Sequence, residues 1–114
     1  MLPVSQSIVG SWALTAERVV TMPKNGGAPT TSNTTVAPDD LVMAYAADGR
    51  ATRIRRATTP EQGSYTYVAP ALTIVISGRT TAVEVTELTA TRLETVSLSD
   101  DAVNSYTTTD TFIR

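Results

Sequence analysis

The chain contains no cysteine and no histidine. Without cysteine there can be no disulfide, no thiolate metal site and no cysteine nucleophile, and either redox compartment is compatible with the chain. Without histidine the usual general base and the commonest metal ligand are also missing. There is one lysine, Lys24, one tryptophan, Trp12, and one phenylalanine, Phe112. No apolar run approaches the roughly 20 residues of a membrane helix, so no membrane span is expected. The opening Met1-Leu2-Pro3-Val4-Ser5-Gln6 has neither a basic start nor a long apolar stretch, and is not read as a signal peptide. Nine basic against eleven acidic residues leave a net charge of −2. Such a chain lacks the net basic surface that a phosphate backbone demands, so no nucleic-acid partner is expected.

What is present points to strands. The 114 residues suit a single domain over 1–114, of which 41% are hydrophobic and 18% charged. Threonine fills 21 positions, and valine and isoleucine are frequent. These β-branched residues suit a pleated surface and lose side-chain freedom in a helix. No segment sustains a 3.6-residue period, whereas alternation of period two recurs. Charge is uneven: residues 1–57 carry six basic and four acidic groups, and residues 58–114 carry three and seven. Arg50, Arg53, Arg55 and Arg56 lie close together, as on one solvated strand face.

After an N-terminal tail, 1–7, the first strand is expected over Ile8–Met22. Trp12 and Leu14 place its even-numbered face inside, together with Arg18. Residues 23–40, with Asn25-Gly26-Gly27, Pro29 and Pro38, read as one long loop. Leu41–Ala46 and Ala51–Ala57 read as a hairpin with a two-residue turn at Asp48-Gly49. That turn sets Tyr45 opposite Thr52, Met43 opposite Ile54 and Leu41 opposite Arg56. Arg56 then points inward, and Arg53 and Arg55 outward. Gly63–Val68 and Ala71–Ile76 turn at Ala69-Pro70, which sets Tyr67 opposite Leu72 and Tyr65 opposite Ile74. Ser77-Gly78 leads into Arg79–Glu87, with Ile74 opposite Thr81 and Leu72 opposite Val83. Arg92–Ser99 and Ser105–Arg114 complete eight short strands. Hairpin-only connections and two edges to hide favour closure into an all-β, eight-stranded antiparallel up-and-down β-barrel. A barrel of eight strands has room for side-chain filling or for one small ligand.

Four short motifs carry a family resemblance. The first is Gly10-Ser11-Trp12 opening the first strand. The second is the Asp48-Gly49 hairpin, and the third is Gly63-Ser64-Tyr65 followed by Leu72-Thr73-Ile74. The fourth is Val85-Thr86-Glu87-Leu88-Thr89 before Arg92-Leu93, with the close Thr111-Phe112-Ile113-Arg114. Spanning Ile8 to Arg114, the pattern resembles the bacterial lipocalin-like domains of the calycin superfamily. The resemblance implies a lipocalin-like barrel that binds a small molecule, with a periplasmic or extracellular setting favoured. It also implies that Arg114 packs on Trp12 as a structural pair that closes one barrel end. A guanidinium over an indole contributes about 0.5–2 kcal/mol.

The candidate ligand-binding residues are Arg56, Tyr45, Met43, Ile54, Tyr65, Tyr67 and Arg18. Tyrosine offers an apolar body with one polar handle, which suits a pocket lining as well as a filled core. Arg18 and Arg56 on inward faces each need an anion, a partner or water. Asp110 is the natural partner for Arg18, and Arg56 at a barrel mouth suits a carboxylate or phosphate headgroup. Asp39-Asp40 and Asp100-Asp101 read as turn formers, and no metal or other cofactor is expected. No catalytic constellation is visible, so the chain is not read as an enzyme. The leading partner is a small apolar or amphipathic ligand held in the barrel. The second reading is a protein-interaction module or structural barrel with a filled core. It would be inhibitor-like, or a homodimer through an outer strand face such as Val42, Ala44 and Ala46.

Overall fold

The structure is a computed structural model describing residues 8–37 and 39–114. The expected tail, 1–7, and Pro38 lie outside the described residues. Among the described residues nine strands form: β1 Gly10–Pro23, β2 Thr30–Thr35, β3 Leu41–Tyr45, β4 Arg50–Arg55, β5 Glu61–Val68, β6 Ala71–Ile76, β7 Arg79–Leu88, β8 Arg92–Asp100 and β9 Asn104–Ile113. Neighbours along the chain pair antiparallel from β3 to β9, β1 pairs with β3, and β1–β9 pairing closes the ring. The result is an all-β, closed eight-stranded antiparallel barrel of up-and-down topology, with β2 as an extra strand. Among the described residues no helix is long and apolar enough to cross a membrane.

The long strand β1 carries two partners in tandem on one edge. Gly10–Ala13 pair with β3, and Ala16–Thr21 pair with β2. The expected long loop therefore contains a strand. Thr30–Thr35 is exposed at all six positions, so it shows no inside–outside alternation to detect.

The registers of β5 with β6 and of β6 with β7 are those expected: Tyr65↔Ile74, Tyr67↔Leu72, Ile74↔Thr81 and Leu72↔Val83. Ser77 and Gly78 both have positive φ, as a two-residue type I′ turn requires.

Two other expectations are overturned. In the β3–β4 hairpin, Ala46 N–H donates to the Arg50 carbonyl and Gly49 N–H to that of Ala46. The loop is thus three residues, Ala47–Gly49, with Gly49 at positive φ. Tyr45 faces Ala51, Met43 faces Arg53 and Leu41 faces Arg55. A one-residue slip exchanges the two faces of a strand. Arg53 and Arg55 accordingly turn inward, while Ile54 and Arg56 turn outward.

On β1 the ladder to β9 shifts between Leu14 and Ala16, a β-bulge at Thr15. Thr15 Oγ1 donates to the Thr111 carbonyl, 3.1 Å away. Past the bulge the faces exchange. Arg18 projects outward, and Glu17 takes the inner row opposite Asp110. The expected Arg18–Asp110 pair does not form.

The core concentrates at one pole. Trp12, Leu72 and Leu93 are fully buried there, packed with Ile8, Leu14, Met43, Tyr45, Ile76, Val85 and Phe112. Trp12 Nε1 donates to the Ile8 carbonyl at 2.9 Å, and the Arg114 guanidinium lies 4.1 Å from the indole centroid. Arg114 also donates to the carbonyls of Val9 (2.7 Å) and Ala90 (2.8 Å). Its charge thereby ties the starts of β1 and β8 across the barrel end, as the resemblance implied. At the other pole β1, β9 and β8 run on past the ends of β3–β7, with β2 at their side, as a four-stranded apron. β7 pairs with β8 only from Glu84 to Leu88, so Ser97–Asp100 have no strand partner on that side among the described residues.

Candidate functional site

The five strands β3–β7 end or begin at the open pole, and their parity decides what faces inward. Leu41 and Met43 on β3, Leu72, Ile74 and Ile76 on β6, and Phe112 on β9 are inward apolar positions. They line a cavity of about 180 Å³ together with Tyr45 and Val83. Its polar groups are Arg53 and Arg55 from the end of β4, Arg79 and Thr81 from the start of β7, and Thr95 and Asp110 from β8 and β9. The cavity thus has an apolar floor and a rim of three guanidinium groups.

The three arginines are not equivalent. Arg53 is neutralised: its Nε and Nη2 both donate to Glu61 Oε1, at 3.0 and 2.9 Å. Glu61 lies directly opposite Arg53 in the β4–β5 ladder and also accepts from Ser77 Oγ at 3.2 Å. The Arg53 hydrogen bond, chief among several influences, holds the Glu61 carboxyl below the usual range, and Arg55 adds a weaker pull. The guanidinium groups of Arg55 and Arg79 have no hydrogen bond or ion pair among the described residues, although the Arg55 carbonyl accepts from Thr58, so a positive excess remains at the mouth.

Among the described residues Asp110 is the one acidic side chain on the cavity wall. Burial, then a hydrogen bond with Glu17 and that group's charge, push its carboxyl up to about 7. Asp110 Oδ1 is buried without a hydrogen-bond partner. Two ionised carboxylates cannot supply a donor to each other, so Asp110 keeps its proton into the neutral range.

Several expected ligand contacts fall elsewhere. Tyr45 and Met43 do line the cavity. Tyr65 and Tyr67 face inward yet pack against the core beside it. Tyr65 stands edge-on to Tyr45, with centroids 4.9 Å apart, and donates its hydroxyl to the Ala46 carbonyl at 2.7 Å. Burial and the neighbouring Tyr65 raise the Tyr45 phenol well above its usual range, so both rings stay neutral fillers. Ile54 is on the outer surface. Arg56 is outside too, where Asp39 and Asp40 each accept from it at 2.8 Å. Arg18 borders a shallow polar groove of about 250 Å³ on the outer face of the apron, with Asn33, Arg92 and Glu94.

Arg55 and Arg79 are the site residues that sequence reasoning missed. The signal for Arg79 was available. Ser77-Gly78 pairs it with Ile76, and Ile76 shares a face with Ile74 and Leu72. Asp100-Asp101 and Asp39-Asp40 serve turns and ion pairs. Among the described residues no acidic cluster is arranged to hold a metal ion.

No family model and no curated protein sequence matches this chain.

Proposed function

We propose that this protein is a lipocalin-like carrier of a small amphipathic anion. The acid group would sit between Arg55 and Arg79, with the apolar body against Met43, Leu72, Ile74 and Phe112. The observation that carries the reading is the convergence on an apolar cavity of two guanidinium groups, neither held by an ion pair among the described residues. The chemistry is that anticipated for Arg56, moved one residue along the chain by the three-residue hairpin loop.

Volume narrows the guest. Pockets for drug-sized ligands run to roughly 300–1,000 Å³, whereas about 150 Å³ of dry apolar cavity suffices for benzene. A cavity of about 180 Å³ suits an aromatic or short-chain carboxylate rather than a long fatty acid. Arginine meets such a carboxylate with two parallel donors, which gives orientation as well as attraction.

The test is a titration followed by amide NMR shifts, using benzoate, hexanoate and neutral benzyl alcohol. Benzoate or hexanoate should give saturable shifts around Met43, Leu72 and Phe112, with benzyl alcohol at least tenfold weaker. Arg79→Gln and Arg55→Gln should each weaken the carboxylate by about tenfold, the equivalent of ~1.4 kcal/mol. Arg56→Gln should leave it unchanged. Equal affinity for the neutral alcohol, or no saturable shift with any of the three, would refute the carrier.

A further inference from the structure

We infer that the free edge of β2 is an interface between two copies of this chain, joined about a two-fold axis at Asn33. The barrel hides every other full-length edge by closure, and β2 is left outside the ring. All six of its residues, Thr30–Thr35, are exposed.

The direction of its backbone groups follows from the register. Val36 N–H donates to the Thr15 carbonyl. In an antiparallel ladder the residues bonding to one neighbour alternate with those bonding to the other. Thr30, Ser32 and Thr34 therefore bond to β1, and Thr31, Asn33 and Thr35 aim their N–H and C=O at the open side. Among the described residues nothing receives them.

The devices that normally blunt an edge are missing here. β2 has no charged residue, no proline and no bulge. The nearest charge on the same face, Arg18, lies one strand further in, opposite Asn33, and Arg92 and Glu94 stand further away on β8. In a paired sheet the two Arg18 residues would be three strand spacings apart, about 14 Å. That exceeds the Debye length of about 8 Å at physiological ionic strength, so self-pairing carries little repulsion.

A second copy fits this edge better than a foreign peptide. A two-fold axis perpendicular to the sheet keeps like faces together, so opposed residues must have the same parity. The register centred on Asn33 sets Asn33 against its own copy and Thr31 against Thr35 on both sides. These are the residues with outward backbone groups, so each opposed pair exchanges two hydrogen bonds, roughly six in all. Cross-strand Thr–Thr pairs add to the sheet, and opposed Asn amides bond one another. A foreign strand would find the same backbone bonds but no apolar pocket beside β2 to read its side chains. The other incomplete edges, Arg79–Val83 on β7 and Ser97–Asp100 on β8, face each other across a slit in the barrel; each is shorter, and the end of the second is charged and tied to Lys24 at 3.0 Å. The proposed surface is distinct from the Val42–Ala44–Ala46 face considered from sequence, and it is independent of the ligand reading. A six-residue edge is small beside a standard interface of about 1,600 Å², so association in the micromolar to millimolar range is expected.

Sedimentation equilibrium from about 10 µM to 1 mM should show the mass rising from 12.1 kDa toward twice that value. Asn33→Pro removes an outward N–H and leaves the β1 ladder intact. It should hold the protein monomeric with an unchanged melting curve. Because the chain has no cysteine, Asn33→Cys should cross-link to itself on mild oxidation, and Thr31→Cys should not, since Thr35 stands opposite it. A Cα separation of about 5.5 Å at such a pair is within disulfide range. A protein monomeric throughout the range, a dimer that survives Asn33→Pro, or equal cross-linking at both cysteine positions would each overturn the assignment. Growth beyond the dimer would also overturn it, since β2-to-β8 pairing is open-ended whereas a two-fold interface closes.

Discussion

Replacing Asp110 by asparagine should stabilise the protein, by an amount that depends on pH in a defined way. Asparagine is nearly isosteric with the protonated acid and keeps a donor for Glu17 at every pH. In the wild type the Asp110 carboxyl titrates near 7 when folded and near 3.8 when unfolded. Between those values the folded chain binds more protons than the unfolded chain, so wild-type stability falls as pH rises. Below about pH 3 both states are protonated and the substitution should change little. The advantage of the Asp110→Asn variant should grow through pH 4–7 and level off above 8. Undiscounted, a shift of about three units at 1.36 kcal/mol each gives ~4 kcal/mol. Asp110 is only half-buried, and solvent screening reduces this to roughly 1.5–2 kcal/mol. For a domain of this size that is about 6–10 °C in Tm at pH 8. Thermal unfolding of both proteins from pH 3 to pH 9 reads the difference directly. A gain that is flat with pH, or a loss that deepens above pH 7, would show that burial and Glu17 do not govern this carboxyl.

The same ionisation bears on binding. Benzoate affinity should fall as pH rises through about 7, because ionised Asp110 opposes an anion in the cavity. Calorimetric titration of wild type and Asp110→Asn at pH 6 and 8 checks this, and the variant should lose the dependence. Gly63→Ala should cost about 3 kcal/mol or more in denaturant unfolding. A Cβ at Gly63 would collide with the Val75 carbonyl oxygen and stand 2.9 Å from Ile76 Cα, both backbone atoms with little room to yield. Arg114→Ala should cost about 2 kcal/mol and alter Trp12 fluorescence. Arg114→Lys should recover only part of this, because an ammonium cannot hold the Val9 and Ala90 carbonyls while lying flat on the indole.

The parts of the barrel that were legible share one property: a turn that admits a single register. Ser77-Gly78 and Ala69-Pro70 each leave one way to align their strands, and both alignments gather large apolar residues on one face. Asp48-Gly49 does not discriminate. A glycine at positive φ serves a two-residue and a three-residue loop equally, and the difference is one residue, which exchanges Arg55 for Arg56 at the mouth. Thr15 hides its bulge for a related reason. In a threonine-rich strand an extra residue leaves no mark on the pattern, so Glu17 and Arg18 trade faces unannounced. β2 is silent because periodicity reports burial, and a strand exposed on both faces has none. Only its threonine content hinted at extended backbone. The pairing of Trp12 with Arg114 came through because both residues sit in motifs at the two ends of the pattern.

The parting of β7 from β8 beyond Val96 has a mechanical meaning. Around most of the circumference, rows of backbone bonds act as inextensible hoops. Along the slit between Arg79–Val83 of β7 and Ser97–Asp100 of β8 no ladder bond sets the girth, and Val83 and Ser97 are the first residues beyond the last pair, Glu84 with Val96. Enlarging or trimming those two positions would therefore reset the calibre of the entrance while the buttoned end around Trp12 stays as it is.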